Sequence, residues 1–196
     1  GYSPARIVRS MTPGKLRKTF SGFRHRFTTG EELAEMLFGL GDVLRSRDSL
    51  NACFLEGMGT RDHTILPALT SFVERIQEGG CIERNSLLPS PSGGSACKRL
   101  NLYLRWMVRQ DEVDPGGWRE IPRSMLLIPL DTHMHRAALD LGLTGRRQAD
   151  MKAVLEITEQ FRKLDPDDPV RYDFALTRPG IGGSRGRPLR REVTLS

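Results

Sequence analysis

Apolar residues in this chain recur at helical spacing and show no convincing strand-like alternation, which points to an all-α fold. Leu33, Met36, Leu37, Leu40, Val43 and Leu44 share one face of a 3.6-residue period. Thr28 and Glu31 match a capping box that opens this helix. Leu50 to Met58 reads as a second, shorter helix, ended between Gly57 and Gly59. Ile65, Leu69, Phe72, Val73 and Ile76 mark a third, stopped by Gly79-Gly80. Upstream, Ser3-Pro4 looks like a helix start and Met11 to Gly14 a break. The three central segments predict a small bundle.

Leu87 to Gly94 is a loop of Pro, Ser and Gly. The helix expected from about Ser95 to Arg109 carries Leu100, Leu102, Tyr103, Leu104, Trp106, Met107 and Val108. Apolar residues on so many faces predict a buried central helix. A turn-rich stretch, Asp111 to Trp118, follows, and then Ser124 to Leu130, which fits a short helix or an extended piece. Asp131 opens a helix to about Leu141, ended by Gly142. Asp150 caps another that carries Met151, Val154, Leu155 and Phe161. Asp167-Asp168-Pro169 predicts a last helix with Tyr172, Phe174 and Ala175.

The 196 residues fit one domain, expected to span 1–182 with a basic flexible tail over 183–196. Arg185, Arg187, Arg190 and Arg191 stand against Glu192 in that tail. The net charge of +6 favours an anionic partner. No apolar run approaches the roughly 20 residues needed to cross a bilayer, and no secretory signal is evident. Cys53, Cys81 and Cys97 form no CxxC pair, which argues against a zinc or iron–sulfur site and favours a reduced cytoplasmic compartment.

Chemistry concentrates between Pro89 and Arg136. Gly93-Gly94-Ser95 precedes a helix, where glycines admit a phosphate to free first-turn amides. A plain helix-entry loop reads the same way locally. A Walker loop is excluded, because its Gly-Lys-Ser/Thr ending is absent. Lys98 follows in the first turns, beside Arg99. A deprotonated lysine amine there is a nucleophile able to form a Schiff base, although a lone lysine commonly just extends to solvent. Asp131 can cap its helix, and a capping carboxylate at a cleft can also move a proton or stabilise a cationic transition state. Asp131, His133 and His135 form D-x-H-x-H, but a helix splays these residues, so no metal site is expected. His133 and Arg136 are placed toward phosphate, and His135 on another face.

SACKRLNLYLRWMVR, VDPGGW, IPLDTHMHR and DPDDPVRYDFALTRPGI, with FRHRF near Phe23 as a weaker match, resemble a sporadic bacterial family without an established function. That family in turn resembles the helix-hairpin-helix DNA glycosylases. DTHMHR resembles the glycosylase segment with the catalytic aspartate, which implies Asp131. The glycine turn followed by lysine resembles the hairpin with the nucleophile, which implies Lys98. The 33 positions from Lys98 to Asp131 exceed the spacing of endonuclease III and are similar to that of the archaeal 8-oxoguanine glycosylases. Pro-Ser-Gly-Gly-Ser stands in place of the usual Leu-Pro-Gly-Val-Gly hairpin, and the four-cysteine cluster is absent. Relatives carry a further N-terminal helical segment that this chain is expected to lack.

The resemblance implies a multi-helix bundle with a helix-hairpin-helix, and a glycosylase/AP lyase acting on a damaged, oxidised-purine base in duplex DNA. It would be a cytoplasmic, nucleoid-associated monomer without a cofactor. Lys98 would attack the sugar and Asp131 activate it. Gly93, Gly94 and Ser95 would hold phosphate through backbone amides, and Arg99, Arg105, Arg109, His133 and Arg136 would contact phosphates. Trp106 and Trp118 are candidates for stacking on a base, Trp106 fitting the core better. The rivals are a non-catalytic helix-hairpin-helix DNA-binding domain and a helical protein–protein module without DNA affinity.

Overall fold

The computed structural model describes residues 3–82 and 85–173 and is mostly helical. Two short helices come first, α1 (Pro4–Ser10) and α2 (Pro13–Thr19). Ser3 and Thr12 cap them, each followed by a proline at a position where a missing N–H costs nothing. A small antiparallel hairpin follows, β1 (Arg24–His25) and β2 (Thr28–Thr29), with Arg24 opposite Thr29 and His25 opposite Thr28. Two-residue strands are too short to leave an alternating pattern in sequence.

Helix α3 (Gly30–Ser46) starts one residue later than its sequence motif suggests. The capping box is formed by Thr29, the last residue of β2, and Glu32. The Thr29 hydroxyl accepts from the Glu32 amide at 3.2 Å, and the Glu32 carboxylate accepts from the Thr29 amide at 2.9 Å. Helix α4 (Leu50–Glu56) leads to α5 (Leu66–Gly80), which packs on α3. The helix stops at the Gly79-Gly80 pair, as expected, with Gly80 its last residue and Cys81 taking the left-handed cap at φ 53°. These glycines serve packing. A Cβ on Gly80 would lie 2.8 Å from the Glu35 carbonyl oxygen, and one on Gly39 of α3 would overlap the Ile76 carbonyl of α5.

A 3-10 turn (Pro91–Gly93) precedes α6 (Lys98–Val108). Another (Arg123–Met125) leads into the extended Leu126–Leu130, where Leu126, Leu127 and Ile128 are wholly buried. Pro129 disfavours helix at Ile128, whose amide donates instead to the Thr158 hydroxyl at 3.2 Å. Helices α7 (Thr132–Asp140) and α8 (Met151–Leu164) complete the bundle, capped by Asp131 and Asp150. One continuous apolar core runs from Val43 of α3 through α4, α5 and α6 to α7 and α8. The helix expected to open at Asp168 does not form there. Asp167 to Tyr172 lacks helix, and the Asp168 carboxylate lies 3.1 Å from Arg109 Nε. Phe174, Ala175 and the 183–196 tail lie outside the described residues. Among the described residues, no helix is long and apolar enough to cross a membrane.

Candidate functional site

Three helix starts converge where the Pro89–Arg136 segment folds back. Lys98 is the first residue of α6, and its Nζ lies 3.1 Å from Asp131 Oδ2 at the start of α7. The other carboxylate oxygen, Oδ1, accepts the Met134 amide at 2.8 Å. Asp131 therefore caps α7 and binds Lys98 at once, one oxygen for each. Burial pushes its carboxyl up, but the Met134 amide, Lys98 and the His133 amide outweigh it and hold the group below its ordinary value. The Lys98 side chain remains 46% exposed, so this ion pair contributes little to stability, ~1 kcal/mol at most. Its charges are available to a ligand.

The third start belongs to α8. Ser95 pairs with Asp150 in an isolated antiparallel bridge, and the Met151 amide donates to the Gly94 carbonyl at 2.9 Å. Arg146 grips the Asp150 carboxylate through Nε and Nη2 and pulls it down to about 2. An open cleft of about 710 Å3 lies here, with Gly94 to Arg99 and Asp150 on one side and the β1–β2 turn, Arg26 and Phe27, on the other. That volume suits a nucleoside-sized ligand. Side chains cap α7 and α8 but not α6, so the first-turn amides at Lys98, Arg99 and Leu100 form the anion-attracting end left without a carboxylate.

That geometry corrects several expectations. Gly93 and Gly94 are not phosphate donors through their amides, which already donate to the Ser90 and Pro91 carbonyls at 3.2 and 3.0 Å within the 3-10 turn. Their value is space and shape. A Cβ on either would meet nothing within 4 Å, and Gly94 turns the chain at φ +79°. The exposed Ser95 accepts the Cys97 amide on its hydroxyl at 3.3 Å. Arg99 is exposed beside the cleft, with Nη2 donating to the Ser86 carbonyl at 2.6 Å. His133 and Arg136 are exposed on α7, one turn apart. His135 is buried on another face, its Nε2 2.8 Å from the Arg146 carbonyl, so the helix does splay D-x-H-x-H.

Arg105 and Arg109 are corrected outright as phosphate contacts. Both are buried among carboxylates. Arg105 meets Asp114 at 3.2 Å and Asp173 at 2.9 Å, while Arg109 meets Asp111, Asp114 and Asp168 at 2.8, 3.3 and 3.1 Å. Apolar burial could not take two guanidinium groups without such partners. The tryptophans exchange places too. Trp106, expected in the core, is 42% exposed, whereas Trp118 is buried, its ring 5.6 Å from both Phe54 and Tyr103. Sequence reasoning missed Asp150 and the β1–β2 turn as parts of the cleft. The only signal for the turn was the FRHRF segment, two aromatics around three basic side chains.

One family model matches residues 1–182, described as a protein of unknown function, DUF2400. No curated protein and no solved structure matches the chain.

Proposed function

The chain belongs to the DUF2400 family of unknown function, and we propose from its site geometry that it is a DNA base-excision glycosylase/AP lyase of helix-hairpin-helix type. One observation carries the reading. A solvent-accessible lysine amine and an anionic carboxylate meet at 3.1 Å at the uncapped start of α6, and the lysine lines a cleft of nucleoside size. The turn before α6 would serve as the hairpin, with the α6 amides and Arg99, His133 and Arg136 toward phosphates.

In this mechanism the damaged nucleotide leaves the base stack and enters the cleft. Lys98 gives a proton to Asp131 and attacks the sugar C1′, while the C1′–N bond breaks and its electron pair leaves with the base, which takes up a proton. The nitrogen lone pair then opens the C1′–O4′ bond to give the protonated Schiff base. Loss of a C2′ proton expels the 3′ phosphate, and water hydrolyses the imine to free Lys98. Asp131 rests as an anion, passes the Lys98 proton on to the departing base, and as an anion again stabilises positive charge developing on the sugar. An oxidised purine is the favoured lesion, on the resemblance in Lys-to-Asp spacing.

Borohydride trapping tests the reading. Incubated with duplex DNA carrying an abasic site or 8-oxoguanine, the protein should yield a covalent adduct that Lys98→Gln abolishes and Asp131→Asn lowers by at least ~100-fold in rate. Salt-dependent DNA binding with no adduct on any lesion would leave only the non-catalytic DNA-binding domain.

A further inference from the structure

The β1–β2 turn presents the most exposed large apolar side chain of the described residues, Phe27, at 90%. Nothing in the core requires it there. Arg26 precedes it at φ +54°, a left-handed backbone that glycine would adopt without strain. Arg24, His25 and Arg26 are exposed around it, so the tip is an aromatic ring in a ring of basic groups. The base of the turn is tied down. Thr28 Oγ1 lies 3.4 Å from Ser86 Oγ, the Ser86 amide donates to Glu32 at 2.8 Å, and the Ser86 carbonyl accepts Arg99 of α6. The tip is thus coupled to the helix that carries Lys98, across the same cleft.

We infer that Phe27 is a wedge that enters the base stack of duplex DNA beside the nucleotide presented to Lys98, while Arg24 and Arg26 meet the flanking phosphates. The inference rests on the DNA reading above and deepens it. A side chain at a cleft mouth that is apolar and flanked by cations suits unstacked bases between phosphates. A protein partner offers no comparable reason for three basic groups around one ring.

The test uses the full chain and a duplex with 2-aminopurine next to a tetrahydrofuran abasic analogue, which cannot form a Schiff base. At saturating protein, wild type and Lys98→Gln should both raise the fluorescence as the base unstacks. Phe27→Ala should lose most of the rise and bind that duplex roughly 5-fold or more weakly, and Phe27→Leu should restore both. Borohydride trapping on a single-stranded abasic site, where no stack is opened, should fall less in Phe27→Ala than trapping on the duplex. An unchanged fluorescence rise in Phe27→Ala overturns the wedge while leaving Lys98 chemistry intact, and so does the absence of any rise with wild type. A Phe27-dependent rise from a wild-type protein that traps no substrate supports the wedge and removes the catalytic reading alone.

Discussion

Replacing Arg105 by methionine separates a buried structural arginine from a DNA contact. Methionine fills much of the same volume but leaves Asp114, which has no exposed surface, with Arg109 as its remaining guanidinium partner. Two guanidinium groups there already face four carboxylates, those of Asp111, Asp114, Asp168 and Asp173. Removing one side of a buried pair costs about 3–5 kcal/mol. In a chain of this length that lowers Tm by roughly 6–20 °C. The loss should depend on pH. Burial pushes the Asp114 carboxyl above its ordinary 3.8, and Arg105 and Arg109 pull it back. Without Arg105 it rises further. A carboxyl whose folded pKa exceeds its unfolded value takes up a proton on folding, so the variant's deficit is largest near neutral pH and shrinks on mild acidification. Adding Asp114→Asn to Arg105→Met should recover at least ~1 kcal/mol. Urea unfolding at both pH values reads all three effects. The reasoning fails if Arg105→Met lies within ~1 kcal/mol of wild type. It also fails if the variant keeps its stability while the log–log salt slope of DNA binding falls by about one, the signature of a lost phosphate contact.

Gly39→Ala should destabilise by about 3 kcal/mol, because its Cβ would overlap the Ile76 carbonyl rather than a side chain that can rotate away, whereas Gly14→Ala meets open space in α2 and should be neutral or slightly stabilising in the same urea titration. Asp150, drawn down to about 2 from 3.8, contributes stability that is complete above the higher value and lost as pH falls through the lower. The stability gap between wild type and Asp150→Asn should therefore stay constant above that window and close across it, as followed by circular dichroism during acid titration.

The helices were legible wherever a local pattern decides the outcome. Capping residues and apolar spacing marked α3, α5, α7 and α8 to within a few residues, because both act within one or two turns. Thr28 and Thr29 show the limit. Two capping motifs overlap there, Thr28 with Glu31 and Thr29 with Glu32, and local spacing alone does not choose the second, which the chain adopts. Gly79-Gly80 read as a stop and α5 does end at Gly80, but no local pattern showed that Gly80 also lies against the Glu35 carbonyl of α3 and Gly79 against the Asp42 side chain. Arg105 and Arg109 read as surface groups because their counter-charges sit as far as Asp173, beyond any local pattern. Lys98 and Asp131 were singled out by their helix starts and by resemblance. Their 3.1 Å contact depends on how α6 and α7 cross, which periodicity does not encode.

Cys97, the residue just before Lys98, is buried and left-handed at φ 46° and ψ 37°, with its sulfur 3.5 Å from the Pro89 carbonyl oxygen. Two demands conflict at this position. The backbone angle suits glycine by about 1–2 kcal/mol, while the filled space around the sulfur calls for a side chain. The bend therefore works as a pivot pin. The direction in which α6 leaves the turn is set by this main-chain bend, and the buried Cys97 side chain is packed at the same point. Burial also pushes the thiol pKa up, which protects the pin from oxidants that act on thiolates. An oxygen added to that sulfur would have to find room in a buried site at the bend from which α6 starts.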